Sequence, residues 1–233
     1  MAGRRQITGA VYVEFLIVII PLLILMFSLM QMSLFLSAGI LTRLAALKAA
    51  RSAMVILGDD HEKADYMESR NQVGGDGSGI EAYRSAKDGE KKTRYQTIRK
   101  AARAPLIPVS PSIDSLGASS VEESLRIAGP LGILAALVDK DWTYYAVGLG
   151  FVNGKDEYVS SMRPGDGIRV RVVYLYPCFV PIGKSFACHA YGDLPSDDRA
   201  LIEVSGKIAG WTAFLGVRFV TLRAEAAIPT WDR

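Results

Sequence analysis

Ala10-Val11-Tyr12-Val13-Glu14-Phe15-Leu16-Ile17-Val18-Ile19-Ile20-Pro21-Leu22-Leu23-Ile24-Leu25-Met26-Phe27 opens an apolar run that continues to about Ile40, and its reading decides the fold. A helix needs roughly 20 apolar residues to cross a bilayer, and at about 1.5 Å per residue this run extends about 45 Å, so it spans the hydrocarbon and protrudes. Inside it only Glu14, Ser28, Gln31, Ser33 and Ser37 are strongly polar. An ionised carboxylate in such a segment costs about 2.5 to 3.5 kcal/mol at the helix centre and less near an end, so Glu14 calls for a reason. Pro21 removes one backbone hydrogen bond and marks an expected kink, which membrane helices tolerate when neighbours re-satisfy the freed carbonyl. Ser28, Ser33 and Ser37, with Gly39, offer small faces for close helix packing, although membrane helices in general carry such residues.

Several readings of the run compete. A secretory signal peptide has an apolar core of about 7 to 15 residues followed by a small-residue cleavage site. This core is about twice as long, and Leu36-Ser37-Ala38 matches such a site only weakly. An uncleaved single-pass anchor would hold Glu14 at the headgroups. A multi-span protein needs a second segment of comparable length, and none follows.

Upstream lies Thr8-Gly9, preceded by Arg4 and Arg5. Glycine, then four residues, then glutamate, with arginines before and an unbroken apolar run after, resembles the processing site of type IV prepilins and pseudopilins. The resemblance implies that a membrane-embedded aspartic peptidase cuts between Gly9 and Ala10, making Glu14 the fifth residue of the mature chain. It also implies that the Glu14 carboxylate neutralises the α-amine freed at Ala10 of a neighbouring subunit, two charges acceptable in an apolar bundle only as a pair. Arg4 and Arg5 suit a cytoplasmic leader under the positive-inside rule, but Arg43, Lys48 and Arg51 follow the run on its other side. The topology therefore rests on the resemblance.

Glu14-Phe15, the proline at Pro21 and the alanine-rich basic continuation from Leu44 to Ala53 are similar to the TadE/TadG group of the tight-adherence (Tad, or Flp) pilus system. The Tyr-Pro punctuated segment Val173-Tyr174-Leu175-Tyr176-Pro177 also resembles that group, although the motif portion covers about the first fifty residues. The resemblance implies a minor pilin or pseudopilin of the inner membrane, single-pass, with its carboxy-terminal domain in the periplasm or outside the cell. Its implied partners are a prepilin peptidase, other pilins and pseudopilins, inner-membrane platform proteins of a Tad system, and the lipid bilayer. The competing reading is an uncleaved, membrane-anchored periplasmic binding module of a secretion or envelope complex.

The expected organisation is a leader over 1–9, an assembly helix over 10–57, an irregular charged insertion over 58–120 and an α+β domain over 121–233. Roughly 190 residues beyond the membrane helix suffice for one soluble domain of ordinary size. The net charge of +3 points to no particular partner, but charge is unevenly distributed. Asp59 to Glu81 is acidic, and Gly74-Gly75-Asp76-Gly77-Ser78-Gly79 reads as a flexible tip, since no strand precedes it and Asp76 alone is too few ligands for calcium. From Arg84 to Arg103 the sign reverses through Lys87, Lys91, Lys92, Arg94, Arg99 and Lys100. This basic helix, with Tyr83 and Tyr95 interleaved, reads as a solvated face rather than as a contact for nucleic acid or anionic lipid headgroups, and no nucleic-acid partner is expected. Pro105, Pro108 and Pro111 then predict an extended segment.

Val121 to Ile127 reads as a helical turn, and Leu131 to Val138 is apolar but too short to cross a membrane. Strand-like patterning begins with Trp142 to Val152, broken by the turn dipeptide Asn153-Gly154. Ile168 to Val172 alternates and continues through Tyr174 and Tyr176. Phe219 to Ile228 alternates again, with Val220, Leu222, Ala224, Ala226 and Ile228 on one side and Thr221, Arg223 and Glu225 on the other. Such period-2 segments predict an antiparallel sheet with one face buried, and hence an α+β, pilin-like fold in which the lower helix covers that face.

Cys178 and Cys188 are the only cysteines. Outside the cytoplasm they would form a disulfide, worth roughly 3 kcal/mol for a loop of this length; in a reducing compartment they would be buried thiols. Adjacent Cys188-His189 is poor zinc spacing, so no metal or cofactor is implied. His61 and His189 are the only histidines, and no catalytic set gathers around them. Asp59-Asp60, Asp139 with Asp141, and Asp197-Asp198 read as turn and surface residues. The chain reads as a structural and interaction protein rather than an enzyme.

Overall fold

A computed structural model of the protein describes residues 7–58, 66, 71–74, 79–88, 93–110, 146–162, 167–178, 188–205 and 218–228. Helix α1, Ile7–Leu57, has 51 residues, about 76 Å at about 1.5 Å each. It is followed by α2 (Ile80–Asp88), α3 (Arg94–Arg103), a 3-10 turn (Ala104–Val109), β1 (Val147–Val152), β2 (Ile168–Pro177), α4 (Ser196–Ser205) and β3 (Phe219–Ile228). The three strands form one antiparallel sheet in the order β1-β2-β3, so the architecture is mixed α+β. Register sets Val172 between Leu149 and Ala224.

One face of the sheet packs on the carboxy-terminal half of α1, where Phe35 meets Tyr176 edge to face at 5.9 Å. From Ala38 onward the buried residues of α1 are Ala38, Thr42, Ala45, Ala46, Ala49, Ala50, Ala53, Ile56 and Leu57. Their spacing follows the 3.6-residue turn, and the run of alanines lets helix and strands approach closely. The alanine-rich segment read from the sequence is thus the seam against the sheet.

The opposite face takes α4. A Cβ at Gly148 would stand 3.0 Å from Leu201 Cβ, and one at Gly150 would stand 2.7 Å from the Tyr158 ring. Glycine at these two positions of β1 is what admits α4 and the turn after β1. Asp198, in the first turn of α4, pairs with Arg223 of β3 at 2.6 Å. The sequence places Asp197-Asp198 at the surface, but Asp198 is 1% exposed. Burial pushes its carboxyl up and the Arg223 guanidinium opposes that shift. The correction has a simple cause: the helix start accepts a carboxylate, and the alternation of β3 puts Arg223 opposite it.

The segment expected as an irregular insertion over 58–120 supplies part of the core. In α2, α3 and the 3-10 turn, Tyr83, Tyr95, Ile98, Ala102 and Leu106 are wholly buried. Thr93 caps α3 by accepting the Gln96 N–H at 3.2 Å. Pro105 sits in the first turn of the 3-10 segment, where its missing N–H costs nothing, so the prolines there tighten the chain rather than extend it. Pro111, Gly75 to Ser78, Val121 to Ile127, Leu131 to Val138 and Trp142 lie outside the described residues.

Arg84 and Lys100 of the basic segment are exposed, as a solvated face requires, but three of its arginines are not. Arg94, Arg99 and Arg103 are all buried. Arg94 Nε donates to the Ile56 carbonyl at 3.1 Å, and its guanidinium lies 5.1 Å from the centre of the Tyr66 ring. The Asn71 N–H donates to the Leu57 carbonyl at 3.2 Å. These carbonyls end α1, where no intrahelical donor remains and the helix dipole is negative, so a cation is the favoured partner.

Tyr83 and Tyr95 stack at 5.2 Å with their planes 7° apart and close the outer edge of β1. The Tyr95 hydroxyl donates to the Leu149 carbonyl at 3.1 Å. The Tyr83 hydroxyl donates to the Val159 carbonyl and accepts the Phe151 N–H at 3.1 Å. An edge strand left bare invites pairing with another chain, and here two phenols occupy it. Burial pushes Tyr95 up to about 12 and Tyr83 higher still. The ordinary tyrosine value is about 10, so above that pH the unfolded chain releases protons that the folded chain keeps. Stability is therefore full below about pH 10 and falls as pH rises through the folded-state values. Tyr95→Phe keeps the stacked ring and is expected to flatten that fall while costing about 1 kcal/mol at neutral pH. Urea midpoints measured across the alkaline range check this; identical slopes for both chains would refute it.

Candidate functional site: the exposed amino-terminal helix

Helix α1 has two environments. From Ala38 onward one side is buried in the domain, whereas from Tyr12 to Leu36 nearly every side chain except Gln31 is exposed or half-buried. This first half is apolar on all sides. The stretch Tyr12–Leu57 is long and apolar enough to cross a membrane, and its apolar window is not buried inside the protein. Water would not cover such a surface favourably: each exposed leucine or isoleucine forgoes about 1.5 to 3 kcal/mol of burial.

Three hydroxyls of the helix are satisfied without leaving it. Ser28 donates to the Ile24 carbonyl at 2.7 Å, Ser37 to Ser33 at 3.0 Å and Thr42 to Ala38 at 2.7 Å. This back-bonding lets Ser and Thr sit in an apolar medium. Gln31 differs: it is 8% exposed, and neither amide atom has a hydrogen-bond partner. At about 1.5 Å per residue it stands about 32 Å from Ala10, close to the roughly 30 Å of bilayer hydrocarbon.

Gly9 and Ala10 lie in the first turn of α1, so the helix already runs through the bond between them. Glu14 follows Ala10 by one turn, the i, i+4 spacing that puts two groups on one side of a helix. Glu14, Phe15 and Pro21 are exposed, and the helix continues through Pro21. These residues form one linear site along the amino-terminal half of α1, remote from the cysteines.

Cys178 and Cys188 form a disulfide with Cα atoms 6.6 Å apart. The Cys178 N–H donates to the Arg218 carbonyl at 3.0 Å, on the β2 side of β3, and His189 exchanges bonds of 2.8 and 2.9 Å with Phe219 on the outer side. The bridge thus ties together the two chain segments that flank the start of β3. Replacing both cysteines by serine is expected to cost roughly 3 kcal/mol, since closing a loop of about 11 residues removes that much unfolded-chain entropy. Urea unfolding of the variant beside reduced wild type checks the figure, and a difference below about 1 kcal/mol from the oxidised chain would reject it.

Among the described residues no group of three or more His, Cys, Asp or Glu is placed to hold a metal ion. Sequence reasoning missed two features. The Arg94 clamp has no local signal, because its partner is Ile56, far back in the chain. The outward stripe of α1, Leu36, Ile40, Leu44, Leu47, Met54 and Val55, was legible as a helical repeat opposite the alanines. No family model matches the chain, and neither a curated protein nor a solved structure matches it.

Proposed function

We propose that this chain is a TadE/TadG-like minor pilin or pseudopilin of a tight-adherence pilus. In this reading it inserts in the inner membrane through α1, is cut by a prepilin peptidase after Gly9, and assembles through its hydrophobic helix for adhesion or secretion. The observation that carries the proposal is the exposed, all-round apolar half of α1, bearing one carboxylate a single turn beyond the Gly9-Ala10 bond. The disulfide adds support, because such bridges persist in oxidising compartments, where the carboxy-terminal domain would lie. The domain contributes no catalysis in this reading; it is a folded head on a membrane helix. Other pilins, platform proteins and the bilayer are its partners.

A second reading is an uncleaved, membrane-anchored periplasmic binding module, favoured by a helix that runs unbroken through Gly9-Ala10. Mass spectrometry of the mature amino terminus, in cells that contain the peptidase, separates the two. A chain beginning at Ala10 is expected; an intact leader would overturn the pilin reading and leave the anchored module.

A further inference from the structure

The outer side of α1 beyond the membrane half carries a second surface. Leu36, Ile40, Leu44, Leu47, Met54 and Val55 are all exposed, and at 100° per residue they line the side opposite the alanine seam. Ile40 stands about 14 Å beyond Gln31 and Val55 about 36 Å, so the upper stripe rises past the headgroups and no lipid covers it. Contiguous apolar surface of this kind on a folded domain marks a contact with another protein.

Charge identifies the occupant. Arg43 and Lys48 flank the stripe on either side and Arg51 lies within it, between Leu47 and Met54. All three are exposed, and none has an ion-pair partner among the described residues. From Ile40 to Leu57 the helix contains no Asp or Glu at all. A second copy anchored in the same membrane would stand parallel and at the same height, setting Arg51 against Arg51. Like charges facing across a helix pair oppose association.

We infer that this face docks a helix of a different chain, one with an apolar stripe edged by carboxylates and an acid opposite Arg51. The inference rests on the membrane insertion proposed above, which fixes the height of each copy, but not on removal of the leader.

The test uses the full chain in detergent micelles and two synthetic helical peptides with leucine at the seam positions. One peptide has glutamate flanking the seam and the other has lysine. The wild-type chain is expected to bind the acidic peptide about tenfold more tightly than the basic one, and less so at high salt. Arg43→Glu with Lys48→Glu and Arg51→Glu is expected to reverse the preference, and Arg51→Gln alone to reduce it. Equal binding of both peptides by the wild type would overturn the proposal. So would a homodimer trapped by Leu47→Cys in the absence of peptide, because it would make a second copy the occupant. An intact leader found by mass spectrometry leaves this result standing, and failed peptide binding leaves processing standing, so the two readings fail separately.

Discussion

Arg94→Ala is expected to lower the free energy of unfolding by about 3 kcal/mol, the upper end of the cost of leaving a buried acceptor without its donor. Arg94 is wholly buried. Its Nε satisfies the Ile56 carbonyl and its guanidinium faces the Tyr66 ring. Truncation strands a carbonyl at the negative end of a very long helix and opens a cavity as large as the side chain. Arg94→Lys keeps the charge but loses the planar fork and the stacking, and is expected to recover only part of the loss. Arg94→Met keeps volume without a donor and separates packing from electrostatics. Urea unfolding of the full chain in detergent, followed by circular dichroism, measures all three. A cost below about 1 kcal/mol for Arg94→Ala would mean that the helix end is held by other groups.

Gly9→Leu is expected to abolish removal of the leader, and Glu14→Ala to impair assembly far more than membrane insertion. The first follows from the resemblance: a bulky side chain would stand at the bond that a peptidase must enter. The second follows from energetics. Glu14 is exposed near the start of α1, so its loss removes no contact within the folded domain. Insertion should even become easier, since a carboxylate in a membrane segment is unfavourable by about 2.5 to 3.5 kcal/mol at mid-depth and by less near the end. Any loss of function must then arise between subunits. Membrane fractionation reports insertion, and sheared-pilus yield reports assembly. Normal pilus yield from Glu14→Ala would refute the charge-pair account, and a shortened chain from Gly9→Leu would refute the cut site.

Much of the fold is legible because its signals are local. The apolar run predicts the exposed half of α1, and alternation in Ile168 to Tyr176 and Phe219 to Ile228 predicts two strands that do pair with each other. Glycines at 148 and 150 weaken the pattern of β1, and only the approach of Leu201 and Tyr158 explains them. The segment from Ile80 to Val109 misleads because its composition is basic and proline-rich, which usually means solvent. Here Arg94 serves the end of α1 and the tyrosines serve an edge of the sheet, and neither partner is near in sequence. Asp198 misleads in the same way, because pairing with Arg223 joins α4 to a strand later in the chain. Of the candidate site, the positions of Glu14 and Pro21 on one helix follow directly from the apolar run, whereas Gly9, expected in a leader outside the helix, lies in its first turn. The outward stripe of α1 is also written in the sequence, as a helical repeat opposite the alanines, but the alanines draw the reading away from it.

One helix serves both as the apolar segment and as the backbone of the domain, with no break between Ile7 and Leu57. A pull along its axis would therefore load the alanine seam in shear, with all its contacts bearing tension together instead of peeling one by one. The Arg94 and Asn71 bonds at the far end would act as a stop against the helix sliding out. A head built this way resists being drawn off its stem, and it turns as a rigid lever whenever the stem tilts.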